Sequence, residues 1–196
     1  MADPDKDLRM NDVSDDDLIR MYREGDADAF DTLFDRYYTS VYNFALTMLG
    51  NMGSSEEVLQ ETFLAVARTA KTYTPRGRFR AWLMRIVRNR CLNRIESERV
   101  RRAVLVQSGL ADIRPVANEP LPSENLEADE QAAIVHAAIA ALSDRQREAM
   151  TLYAFERMSY GEIADVLETP INTVKTLIHR ARASIARALE SQESER

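Results

Sequence analysis

The chain has 196 residues, of which 45% are hydrophobic and 30% charged, with a formal net charge of −6. That apolar share suffices for a packed core and excludes wholesale disorder, and the length suits one ordinary domain or two small ones. A single cysteine and two histidines exclude a disulfide framework and a Cys/His zinc site, and no apolar run is long enough for a membrane span.

The N-terminus, Met-Ala-Asp-Pro-Asp, lacks the basic and then apolar pattern of a secretory signal, so the cytoplasm is the expected compartment. Residues 1–35 carry twelve acids against four bases. Within them, Asp15-Asp16-Asp17 at a helix start reads as favourable charge at the positive end of the helix dipole. A metal site of a nuclease is the rival reading of the same triplet. Apolar residues then recur at three- and four-residue steps, first Leu18, Met21 and Tyr22, later Phe30 to Leu46. Gly25-Asp26 and Gly50 to Gly53 mark the breaks. Ser54 and Glu57 have capping-box spacing and predict a helix through Val58, Leu59, Phe63, Leu64 and Val66. Thr74-Pro75-Arg76-Gly77 is a loop, and a further helix carries Trp82, Leu83, Ile86, Val87, Cys91 and Ile95. No segment alternates with period two, so the fold class expected is all-α, as two small helical domains.

Residues 76–102 hold ten arginines against two glutamates. Guanidinium groups bind phosphate oxygens in bidentate fashion, so this block suits a polyanion. Arg85 and Asn89 share one helix face; Arg90 and Arg94 do not join it. Arg76, Arg78 and Phe79 could hold an unstacked base between cationic donors and a ring. Core packing is the other reading of Phe79, and it is the reading taken for Trp82 and Cys91. Residues 103–128 contain three of the six prolines and turn acidic, which reads as a linker between domains at 1–102 and 129–196.

Ser143 with Gln146, and Ser159 with Glu162, repeat the capping-box spacing and open two helices. After a turn at Glu168-Thr169, Thr169 is a suitable N-cap and Pro170 a suitable first residue for a last helix reaching about Leu189. At 100° per residue, Ile171, Val174, Leu177, Ile178, Ala181, Ile185, Ala188 and Leu189 fall on one side. Asn172, Lys175, Thr176 and His179 fall opposite, with Arg180, Arg182 and Arg187 on the flanks. Residues 170–189 contain no acid. Short helix, tight turn, and a second helix with a polar acid-free outer face form a helix-turn-helix able to read the major groove.

Several segments resemble a known family. Gly25 to Phe30, Arg36-Tyr37-Tyr38, Glu56 to Leu64 and Phe79 to Asn89 are similar to region 2 of the extracytoplasmic-function (ECF) group of bacterial sigma factors. Leu142 to Glu148, Ser159 to Ala164, and Thr169 to Thr176 with Arg180-Ala181-Arg182 are similar to region 4. The resemblance implies a promoter-recognition subunit of RNA polymerase, with no cofactor and no enzymatic activity of its own. It implies that Glu57, Gln60 and Glu61 bind the β′ coiled coil of core polymerase. Arg76, Arg78, Phe79, Arg80, Arg85, Arg88 and Asn89 would read and melt the −10 element. Thr169, Asn172, Thr173, Lys175, Thr176, His179, Arg180 and Arg182 would read the −35 element, and region 4 would bind the β flap. An anti-sigma factor would cover the polymerase-binding faces. Glu57 stands where the family usually has Asp, and Asn172 where it usually has Gly. The remaining alternative is a helix-turn-helix regulator that binds DNA without polymerase.

Overall fold

The computed structural model describes residues 12–74, 76–108, 135 and 137–193. Among these there is no strand, and the chain divides into a mainly N-terminal and a mainly C-terminal compact unit, Thr47–Met52 grouping with the latter. The N-terminal unit holds α1 (Asp15–Arg23), α2 (Ala27–Leu49), α3 (Met52–Thr69), a 3-10 turn (Ala70–Thr72) and α4 (Phe79–Gln107). Ser14 caps α1 by accepting from the Asp17 N–H at 3.2 Å. Gly25 ends α1 with φ of 107°, a value glycine adopts without cost. The Asp26 N–H then reaches the Met21 carbonyl and the Gly25 N–H the Tyr22 carbonyl, so the last carbonyls of α1 are satisfied before α2 begins.

The core of this unit follows the three- and four-residue spacing. Leu18 and Ile19 of α1, Leu33, Val41 and Phe44 of α2, Val58 and Val66 of α3, and Leu83, Val87 and Cys91 of α4 are all buried. Two boundaries differ from the sequence reading. α3 starts at Met52, so Ser54 lies inside the helix rather than capping it. α4 runs to Gln107, five residues into the stretch read as linker from residue 103. Val104, Leu105 and Val106 offer no turn residue that would stop a helix already under way. It ends where the Ser108 N–H and hydroxyl bond the carbonyls of Val104 and Leu105, each at 3.0 Å. The rest of the expected linker, 109–128, lies outside the described residues.

The C-terminal unit holds α5 (Asp144–Ala154), α6 (Tyr160–Leu167) and α7 (Ile171–Glu193), preceded by a helical turn at 137–140. The guanidinium of Arg147 on α5 donates to the carbonyls of Ala140 (2.8 Å) and Leu142 (3.1 Å), anchoring that turn to α5. Both expected capping boxes are present, at Ser143/Gln146 and Ser159/Glu162. α7 packs on α5 and α6. Ala149, Leu152, Ile163, Val166, Val174, Ile178 and Ala181 form their shared core. α6 stops at Glu168, whose φ of 51° and ψ of 46° turn the chain left-handed into α7.

Candidate polymerase and nucleic-acid interfaces

The first site lies on α3. Glu57, Gln60 and Glu61 are all exposed on it, because they fall opposite the buried Val58, Thr62 and Val66. Glu61 pairs with Arg90 of α4 at 2.6 Å, and Glu57 pairs with Arg94. The antiparallel α3–α4 pair is therefore laced by two ion pairs at its surface, each contributing little to stability when solvated in this way. Leu64, one of the apolar residues that mark this helix in the sequence, is 55% exposed. It stands three and four residues after Glu61 and Gln60, so an apolar side chain completes this carboxylate and amide patch. The 57/60/61/64 spacing is the signal that could have placed it there.

The second site is the stretch from Tyr73 into α4. Arg76, Arg78, Arg85 and Asn89 are exposed, and Arg80 is half-buried. Arg85 and Asn89 are one helical turn apart on one face, as expected. Two candidates differ. Phe79 is only 2% exposed, its ring 5.7 Å from those of Tyr37 and Tyr73 and 5.6 Å from that of Trp82. It is a core residue and offers no face to a base, because its position as the first residue of α4 directs it onto α2. Arg88 is 8% exposed, on the inner half of the helix one turn past Met84. The outward cations here are thus Arg76, Arg78 and Arg85.

The aromatic cluster under this stretch is held from α1. Asp15 accepts from the Tyr37 hydroxyl and from Arg36, both at 2.5 Å. Asp16 accepts from the Tyr73 hydroxyl at 2.7 Å and the Gly77 N–H at 2.5 Å. Burial, reinforced by the bonded carboxylates, pushes both phenols well above the usual tyrosine range. Asp17 serves α1 itself, accepting from Ser14 and Arg20, with the Ser14 hydroxyl the main cause of its lowered pKa. The three carboxylates therefore diverge to separate partners instead of converging on one point, as a nuclease metal would need. Nothing local in the sequence marks Asp15 and Asp16 as cross-links, since their partners lie 21 to 61 residues away.

The third site is the outer face of α7. Asn172, Thr173, Lys175, Thr176, His179, Arg180 and Arg182 are all exposed, and Thr169 is half-buried in the turn. α7 begins at Ile171, one residue later than expected, and the Pro170 carbonyl accepts from the Thr173 N–H at 2.9 Å and from the Val174 N–H at 3.2 Å. Ile171, read as part of the inward stripe, is 44% exposed as the first residue of α7. Thr176 returns its hydroxyl to the Asn172 carbonyl at 2.9 Å. The Arg182 guanidinium lies 4.7 Å over the Tyr153 ring, which in turn stacks on Tyr160 at 5.4 Å. This cation–π stack joins α7 to α5 and α6 at the surface. Sequence reasoning missed Tyr153 and Tyr160, which are brought together only by tertiary packing.

Residues 33–101 match the family model for Sigma-70 region 2, and residues 132–185 that for Sigma-70 region 4. The chain is 34% identical over 174 residues to the ECF RNA polymerase sigma factor BldN of Streptomyces coelicolor, an alignment spanning 88% of this chain and 65% of that one. It is 30% identical over 176 residues to the ECF RNA polymerase sigma factor SigW of Bacillus subtilis, spanning 87% of this chain and 94% of that one. Among solved structures, CnrH in complex with the cytosolic domain of CnrY is similar at a TM-score of 0.67 and 25% identity, covering 91% of this chain and 99% of that one. The sigma factor RpoE of Bartonella quintana, solved with the anti-sigma factor NepR, shares the fold at a TM-score of 0.66 and 24% identity, covering 82% of this chain and 96% of that one. With both sigma regions present in order and a curated relative matched over nearly its full length, the chain belongs to the ECF group of RNA polymerase sigma factors.

Proposed function

We propose that this chain binds core RNA polymerase in the bacterial cytoplasm and directs it to a specific set of promoters, acting as a non-catalytic initiation factor. The observation that carries this reading is the order of the two sigma regions in one chain, each bearing an exposed face of suitable chemistry. In this reading Glu57, Gln60, Glu61 and Leu64 meet the β′ coiled coil. Arg76, Arg78, Arg85 and Asn89 engage the −10 element, the arginines holding phosphates while the duplex opens. Asn172, Lys175, Thr176 and His179 face base edges of the −35 element, with Thr173 and Arg180 beside the backbone. Region 2 would extend from the N-terminus through Gln107, and region 4 from about residue 129 onward. No nucleotide hydrolysis is required, because capture of unpaired bases and polymerase contacts offset the few kcal/mol of unstacking.

An anti-sigma protein is the proposed inhibitor, covering the α3 face. The complex of the relative CnrH with a cytosolic protein domain supports that part of the reading. The test is run-off transcription on genomic fragments with bacterial core polymerase, with and without the chain. Defined start sites that require the chain are expected. Identical transcripts in both reactions would refute the proposal.

A further inference from the structure

The acids that open α1 are not interchangeable, and the sigma regions do not account for the difference. Asp17 is bonded within its own helix and Asp15 ties α1 to α2. Asp16 alone reaches the stretch that carries Arg76 and Arg78. One of its oxygens accepts from the Tyr73 hydroxyl, just after the 3-10 turn; the other accepts from the Gly77 N–H, two residues before α4. Gly77 has a φ of 67°, so a bend that favours glycine stands at the very amide that Asp16 holds. Tyr73 is fixed independently, its ring 4.7 Å from that of Trp82 and its carbonyl accepting from Arg23 at 3.4 Å. A single carboxylate thus bonds Tyr73 and Gly77, with Arg76 between them and Arg78 next along the chain.

We propose that Asp16 is a positioning residue for promoter opening: by gripping Tyr73 and Gly77 it holds the Arg76–Arg78 segment in the shape that engages DNA as the −10 duplex separates. This rests on the sigma-factor reading above. A carboxylate suits the task, since bonds to a charged acceptor are stronger than neutral ones and both lone-pair directions are used. Asparagine in its place keeps one acceptor and turns an NH2 toward the other donor, so it cannot satisfy both.

The test uses the full chain reconstituted with core polymerase on the strongest promoter fragment recovered by run-off transcription. That promoter is used both fully paired and with a mismatched, premelted −10 region. Asp16→Ala is expected to lower transcription from the paired template about tenfold, the scale of one lost charge-assisted hydrogen bond. On the premelted template it stays within about twofold of the parent, as does its affinity for core. Asp17→Ala, whose partners are local to α1, behaves as the parent on both templates. Should Asp16→Ala fail to fold, Tyr73→Phe keeps the ring and deletes the hydroxyl, and is expected to show the same paired-template defect in smaller measure. Equal losses on both templates together with weaker core binding would reduce Asp16 to a fold-stabilising residue and overturn the proposal. So would parental activity on the paired template. A parent chain that drives neither template refutes the sigma-factor reading itself, which separates that failure from this one.

Discussion

The turn between α6 and α7 sets the angle at which α7 is presented, and it is made by a residue poorly suited to it. Glu168 has a φ of 51°, in the left-handed region where a Cβ crowds the following carbonyl. Only glycine avoids that cost, of about 1–2 kcal/mol, and it returns about 0.5–1 kcal/mol through its greater freedom in the unfolded chain. Glu168→Gly is therefore expected to be more stable than Glu168→Ala by about 0.5–1 kcal/mol. Taking alanine as the reference matters, because both variants delete the glutamate side chain and whatever it touches. At an exposed helical site the order reverses: Ala183→Gly should cost about 1 kcal/mol. For a unit of this size, each kcal/mol moves the midpoint by roughly 4–8 °C. Thermal unfolding of the full chain followed by circular dichroism reads these differences directly. If alanine at position 168 proved as stable as glycine, the backbone strain assigned to this turn would be wrong.

Phe79→Ala should destabilise the N-terminal unit by about 3–5 kcal/mol in urea unfolding, as expected for a fully buried ring, while Phe79→Leu retains most of the stability; a near-neutral alanine variant would return Phe79 to the surface and to base stacking. Tyr37 and Tyr73 are held protonated in the fold chiefly by burial and next by Asp15 and Asp16. In the unfolded chain they lose their protons near pH 10. Their contribution is therefore complete below about pH 10 and declines as pH rises above it. The double variant Tyr37→Phe/Tyr73→Phe should show a flatter loss of stability there; an unchanged alkaline slope would contradict the buried hydrogen bonds. Lys175→Ala should weaken promoter binding by holoenzyme and change the logarithmic salt slope by about one if Lys175 meets a phosphate. A base contact would instead relax sequence preference with the slope unchanged, and no effect of either kind would remove Lys175 from the interface.

What the sequence reveals and what it hides divide along the range of the interactions. Ser143, Ser159 and the inward Val174, Ile178 and Ala181 are legible because caps and helical faces depend on residues three or four apart. The carboxylate pattern on α3 is legible for the same reason, and the same spacing, extended to position 64, places Leu64 beside it. Phe79 opens α4 at a position whose depth is decided by Tyr37 and Tyr73 from elsewhere in the chain. The pairing of Asp16 with Tyr73 and Gly77, and of Arg182 with Tyr153, crosses between elements and leaves no local trace. The extension of α4 to Gln107 reflects cooperative helix propagation past a point where composition had already changed.

In the proposed function, promoter recognition belongs to the complex with polymerase and not to the chain alone. One measurement addresses this most directly: equilibrium binding of a promoter fragment by the free chain and by the chain with core polymerase, at matched salt. Tight, sequence-selective retention only when core is present, lost in Gln60→Ala/Leu64→Ala, is the predicted result. Equally tight and selective retention by the free chain would contradict it and establish an independent helix-turn-helix regulator.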